Sequence, residues 1–252
     1  MSNKENSDKL ICKECRQCLP ESFVFCGFCG KPLNAGNHPT KPRMKNERRD
    51  VAILFADVSG FTSMCESMDP EDVFTLMNEV FDGLGRAINK EGGHIDKYIG
   101  DNVMALFGAP VAHEDDPARA CRAAIGMQNF LRQFAVKLCE RTGVMLKMRI
   151  GINCGLVLAG YIGSEVKKEY SVLGDTVNLA SRLESKAPPG GILISEAMAS
   201  RISGFSLGPV QELTVKGKSQ PVKAFEILGE QKAGQRFKTS KFAGRARELS
   251  RI

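Results

Sequence analysis

Two carboxylates far apart in the chain stand where phosphate chemistry could sit. Asp57 follows the apolar run Val51 to Ala56 in VAILFADVSGFTS, a buried strand that ends at an acid and turns through Ser59 and Gly60. Asp101 stands in Ile99-Gly100-Asp101-Asn102, between the two β-prone runs of HIDKYIGDNVMALFG. Gly-Asp between such runs is a two-residue hairpin signal, so Asp101 belongs at a hairpin tip. A strand-end acid and a tip acid on one face either repel or hold cations. Oxygen donors with open positions suit Mg²⁺ or Mn²⁺, which bind through one or two carboxylates plus substrate phosphates. Taken singly, Asp57 reads as a helix cap and Asp101 as a turn residue.

A third stretch joins them. In EYSVLGDTVNLASRLES a strand breaks at Gly174, Asp175 caps a helix, and Asn178 and Arg182 lie four residues apart. Residues at that spacing share a helix face, and an amide beside a guanidinium gives donors suited to phosphate or to developing negative charge. FADVSGFT, DKYIGDNVMALFG, MRIGINCG, VLGDTVNLASRLE and VKGK, in this order and spacing, resemble the class III adenylyl/guanylyl cyclase catalytic domain. The match covers about residues 48 to 228. Five ordered motifs are far more specific than a lone glycine pattern.

The resemblance implies an adenylyl cyclase that converts ATP to 3′,5′-cyclic AMP and pyrophosphate by two-metal-ion catalysis. Asp57, Asp101 and the carbonyl of Val58 would ligate two Mg²⁺ or Mn²⁺ ions. Gly60, Phe61 and Thr62 would cradle phosphates through free N–H groups of the turn. Arg149 and Lys216 match phosphate-contacting positions, although either also reads as an ordinary strand or hairpin charge. Asn178 and Arg182 would orient the ribose and stabilise the transition state. Lys97 and Ser171 match the base-reading positions. A lysine only donates, which suits adenine N1, and a hydroxyl can accept from the adenine amine.

Many adenylyl cyclases carry Asp where Ser171 stands, and a hydroxyl there resembles the soluble, bicarbonate-responsive subgroup, which makes bicarbonate an expected regulator. In the family the metal acids come from one subunit and Lys97, Ser171, Asn178 and Arg182 from the other. One chain carrying both sets implies a head-to-tail homodimer. Guanylyl cyclase and a catalytically silent nucleotide-binding dimerisation domain are the alternatives. Lys97 speaks against the first and the filled metal and Asn/Arg positions against the second.

The elements that must position these residues follow from periodicity. PEDVFTLMNEVFDGLGRAINKEGG sets Val73, Leu76, Met77, Val80, Phe81, Leu84 and Ile88 on one helical face. EDDPARACRAAIGMQNFLRQFAVKLCERTG reads as a second long helix with Asp116 as cap, Pro117 in the first turn and Gly143 past its end. MLKMRIGINCGLVLAGYIG is strand-rich and folds back at a glycine-containing turn; EYSVLG, the Asn178/Arg182 helix, the strand GILIS, a short helix near Ala197 to Ile202 and two last strands follow. The order β, α, β, β, α, β argues for an α/β (α+β) sandwich, a mostly antiparallel sheet with helices on one face. The resemblance narrows this to the ferredoxin-like, palm-type architecture.

The 252 residues, 42% of them hydrophobic, suffice for one catalytic domain and a small appendage. No apolar run could span a bilayer and the N-terminus is polar, so a cytoplasmic protein is expected. The formal charge of +6 resides in the ends, +4 over residues 1 to 50 and +5 over 229 to 252, leaving −3 between. Two basic flanks read as solvated segments and not as a nucleic-acid face. Residues 1–33 resemble a zinc ribbon. Cys12-x-x-Cys15 and Cys26-x-x-Cys29 can close one structural Zn²⁺ site, with Cys15-x-x-Cys18 as a competing pair. Residues 34–48 read as a linker, 49–228 as the catalytic domain and 229–252 as a basic tail. Its end, KFAGRARELSRI, resembles the opening of an ATPase module, which implies a longer protein.

Overall fold

The structure, a computed structural model, describes residues 9–12, 14–16, 18–20, 46–60, 64–65, 68–164, 167–215 and 220–231. The chain divides into two compact units, Met1–Lys45 and Asn46–Ile252. In the first, β1 (Lys9–Ile11) pairs antiparallel with β2 (Cys18–Pro20). The turn between them carries Cys12, buried, and Cys15, half-buried, and closes with the Arg16 N–H on the Cys12 carbonyl at 2.9 Å.

The second unit is built on β3 (Glu47–Ser59), the strand that the Val51–Ala56 run called for. Its apolar residues are continuous because both faces are covered, as in central strands generally. Ala52, Leu54, Ala56 and Val58 pack into one core with helices α1 (Pro70–Lys90) and α2 (Asp116–Thr142). Val51, Ile53 and Phe55 enter a second core on the opposite face. Alternation along the strand then sets Asp57 on the Phe55 face. Beside β3 on one edge lies the hairpin of β4 (His94–Ile99) and β5 (Asn102–Phe107), and on the other the long β6 (Lys147–Gly163).

The sheet runs β10-β11-β8-β6-β3-β5-β4, with β8 (Ile192–Ser195), β10 (Gln211–Leu213) and β11 (Val222–Glu230) on its far side. Among the described strands only the β6–β8 pairing is parallel; β7 (Lys168–Leu173) adds to β6, and β9 (Phe205–Leu207) to β11. The mixed α/β sandwich is therefore the architecture expected.

Several local expectations change. MLKMRIGINCGLVLAGYIG does not fold back within itself: it forms the single 17-residue strand β6, and the return comes after Gly163. Asp115, not Asp116, occupies the cap position of α2. Asp116 instead accepts the His113 N–H at 2.8 Å, while Gly143 ends the helix in the left-handed region at φ 75°. Gly174 stands at the cap position of α3 (Asp175–Lys186), with Asp175 in the first turn. The short α4 is confined to Glu196–Ala199.

The helices also do not share one face. While α1 and α2 do, α3 lies across the other, where Ala180 joins Val51, Ile53 and Phe55. Gly151 of β6 permits this approach: a Cβ there would come within 2.0 Å of the Glu184 nitrogen and 2.4 Å of the Ala180 carbonyl oxygen. The helix bearing Asn178 and Arg182 is thus laid directly on the sheet face that carries Asp57.

Candidate active site

Asp57 pairs across the sheet with Asn102 on β5 and Arg149 on β6. The hairpin tip closes on the same strand end, the Val58 N–H donating to the Asp101 carbonyl at 3.4 Å. Gly100 supplies the φ of +63° that the two-residue turn needs. Asp57 and Asp101 are accordingly neighbours: burial first, then the Asp101 charge, raises the Asp57 pKa, and Arg149 pulls it back.

Two half-buried carboxylates side by side, the charge of Asp101 helping to raise Asp57, are a donor set suited to a cation, and one or two carboxylates are what Mg²⁺ takes from protein. Among the described residues the buried Ser59 Oγ, Asn102 Oδ1 and Arg149 Nε have no hydrogen-bond partner, which leaves polar valences around the pair. Among the described residues no three His, Cys, Asp or Glu side chains form a metal-binding group. Gly60, at φ +102°, starts the following turn, its carbonyl accepting from the Met64 N–H at 3.1 Å. Phe61, Thr62 and Lys216 lie outside the described residues, as do Cys26 and Cys29.

A residue that sequence reasoning missed lies on the same face. Glu184 of α3 is only 6% exposed. Its carboxyl is pushed up to about 7, chiefly by burial and then by Asp57; the Ser185 hydroxyl and Arg149 oppose the rise, and Asp101 adds to it. The signal was in the periodicity: Ala180, Leu183, Glu184 and Ala187 fall at i, i+3, i+4 and i+7, so Glu184 fills an apolar position of the buried stripe.

This burial has a measurable cost. An unfolded Glu184 releases its proton near 4.5 whereas the folded one holds it to about 7. Over that interval the unfolded chain binds fewer protons, so stability falls as pH rises and is flat above it. The loss amounts to up to about 3 kcal/mol. Glu184→Gln should remove most of that slope. Denaturant unfolding in a chelator at pH 5 and pH 8 measures it, and a slope unchanged in the variant would assign it to other groups.

The base-reading candidates form a second cluster. Lys97 Nζ lies 3.4 Å from Ser171 Oγ, and both meet Asp96, whose Oδ2 is 3.1 Å from Lys97 Nζ and accepts the Ser171 hydroxyl at 3.0 Å. Sequence reasoning passed over Asp96. Its neighbour Lys97 was singled out, but a regular strand would have turned the two side chains to opposite faces.

On α3, Asn178 is exposed and Arg182 half-buried, its buried Nη1 without a hydrogen-bond partner among the described residues. At 100° per residue Arg182 sits roughly 200° round the helix from Glu184. The face carrying Asn178 and Arg182 therefore turns away from the one that Glu184 lays beside Asp57. One chain joins Asp57, Asp101 and Arg149 in one cluster and Lys97 with Ser171 in another.

Residues 44–229 match the adenylate and guanylate cyclase catalytic domain. An adenylate cyclase of Anabaena cylindrica is 38% identical over 191 residues, which make up 71% of this chain and 37% of that protein. The chain thus spans little more than a third of its length. Among solved structures, the adenylyl cyclase CyaB from P. aeruginosa aligns at TM-score 0.72 and 30% identity, covering 75% of this chain and 98% of that one. The guanylyl cyclase Cya2 aligns at TM-score 0.71 and 35% identity, covering 76% and 98%.

Proposed function

This chain belongs to the adenylate and guanylate cyclase catalytic-domain family, and within it we propose an adenylyl cyclase that forms 3′,5′-cyclic AMP and pyrophosphate from ATP at sites shared by two copies of the chain. The observation that carries the substrate choice is the Lys97–Ser171 pair. It sets a donor-only group 3.4 Å from a hydroxyl able to accept, the complement of adenine N1 and its amine.

In the reaction the ribose 3′-oxygen bonds to the α-phosphorus, the bond to pyrophosphate breaks, and the hydroxyl proton leaves. Asp57 and Asp101, with the Val58 carbonyl, would hold Mg²⁺ or Mn²⁺, which when bound neutralises triphosphate charge and acidifies the 3′-hydroxyl. Arg149, beside Asp57, is placed to meet phosphate oxygens, and its unpartnered Nε supports that role. Gly60, Phe61 and Thr62 would supply backbone N–H groups to phosphates, and Lys216 a further positive charge. Asn178 orients the ribose, and Arg182 meets charge that develops during transfer.

The opposed faces of α3 support the shared site. Exposed apolar side chains on β6 and β7, among them Leu156 (60%), Leu158 (42%) and Leu173 (56%), support a homodimer.

Purified protein given ATP or GTP with Mn²⁺ should favour ATP in kcat/KM; a preference for GTP would overturn the adenylyl assignment. That second reading has its own support in the similarity to the guanylyl cyclase Cya2. Bicarbonate regulation is proposed from Ser171, and cyclic AMP output unmoved by bicarbonate at fixed pH would remove it. In the N-terminal unit, Cys12 and Cys15 on the tight β1–β2 turn support one structural Zn²⁺ held with Cys26 and Cys29. Metal analysis finding no zinc in the purified chain would dismiss it. No helix among the described residues is long and apolar enough to cross a membrane.

A further inference from the structure

Asp96 and Lys97 are consecutive on β4, yet both reach Ser171. The cause is a β-bulge. Pairing with β5 runs from Ile95 opposite Ala105 to Lys97 opposite Met104, so Asp96 is the extra residue and the strand is locally re-aimed. The Asp96 side chain is fully buried, at 0% exposure, and Ser171 is 5% exposed. Water therefore competes little for the bond between them.

A hydroxyl has one proton and two lone pairs. Ser171 donates its proton to Asp96 Oδ2 at 3.0 Å, and one lone pair faces Lys97 Nζ at 3.4 Å. What remains is a single lone pair, which can only accept. Lys97, with three protons, spends one on Asp96 at 3.1 Å and one on Ser171 at 3.4 Å and keeps the third to give. A serine hydroxyl left to rotate would accept from an adenine amine or donate to guanine O6 with equal ease.

We propose that Asp96 is a specificity-determining positioning residue: by holding the Ser171 proton it makes Ser171 an obligate acceptor beside the donor Lys97, a pattern that adenine completes and guanine opposes. This inference rests on the adenylyl reading and on Lys97 and Ser171 meeting the base. The carboxylate touches no substrate atom in this account; it acts through the serine.

The readout is the ratio of kcat/KM for ATP over GTP, measured with Mn²⁺ on the full chain. Asp96→Ala should lower the ratio about tenfold or more, mainly by raising GTP turnover, because the freed hydroxyl can now satisfy O6. Asp96→Asn keeps the shape and should fold where alanine does not. Its amide can donate to Ser171 and release the hydroxyl proton, so the ratio should fall there too. Ser171→Ala lowers the ratio by removing the acceptor, and adding Asp96→Ala to it should then change the ratio less than about twofold, the non-additivity of two residues acting as one.

A purely structural Asp96 would depress both substrates alike and leave the ratio in place. A wild-type preference for ATP that survives both Asp96 substitutions, or Asp96 and Ser171 effects that simply multiply, overturns the inference alone. A wild-type preference for GTP overturns the adenylyl reading and the inference with it.

Discussion

Asp101→Ala should abolish cyclase turnover, by about a thousandfold or more, while leaving the fold in place. The acid sits at the tip of a two-residue hairpin whose conformational demand falls on Gly100 at φ +63°, so the turn survives the change. Its backbone carbonyl still accepts the Val58 N–H at 3.4 Å, which keeps the tip on β3. What disappears is half of the carboxylate pair and the like charge that raises Asp57. The remaining acid, next to Arg149, is too weak a donor set for a divalent cation.

Two measurements separate this from misfolding. Wild-type protein should gain thermal stability with added Mn²⁺ and ATP by mass action, and the variant should not, although its unfolding midpoint without ligand stays within a few degrees. Cyclic AMP formation above a hundredth of wild type at saturating Mn²⁺ would show that Asp101 is not a metal ligand.

How much of this site could be read beforehand varies with the range of the forces involved. Asp57 and Asp101 were legible because each sits at a local feature: a strand buried on both faces, and a Gly-Asp turn. Their approach was legible only on the condition that the strand pairs beside the hairpin, which the register of β3 and β5 meets by setting Asp57 opposite Asn102. The placement of α3 escaped for a similar reason. Nothing local to DTVNLASRLESK says which sheet face it covers; the missing side chain at Gly151, more than twenty residues away, does.

Glu184 could have been found from its place on the apolar stripe, where a charged residue signals either a buried function or a stability cost. Asp96 could not. Period-two alternation puts it on the wrong side of β4, and the bulge that corrects this is a tertiary feature. The zinc ribbon expectation rests on spacing alone for Cys26 and Cys29, which lie outside the described residues.

The second large effect tests whether a site is divided between chains. Arg182→Ala should reduce kcat by about a hundred- to a thousandfold with KM for ATP changed only a few-fold, because a donor aimed at developing charge acts on the transition state and not on the bound substrate. Among the described residues the buried Nη1 of Arg182 has no hydrogen-bond partner, and Arg182 lies roughly 200° round the helix from Glu184, the side chain laid beside Asp57. In the proposed shared site a second copy brings Arg182 to those acids.

Arg182→Ala chains and Asp57→Ala chains should each be inactive, yet an equal mixture should recover about a quarter of wild-type activity, since random pairing makes half the dimers mixed and each mixed dimer assembles one intact site and one doubly defective site. The recovery should rise with protein concentration, as pairing does. A mixture no more active than its components, under conditions where chain exchange is shown by differently tagged subunits, would place both residues in the same chain's site and rule out the shared arrangement.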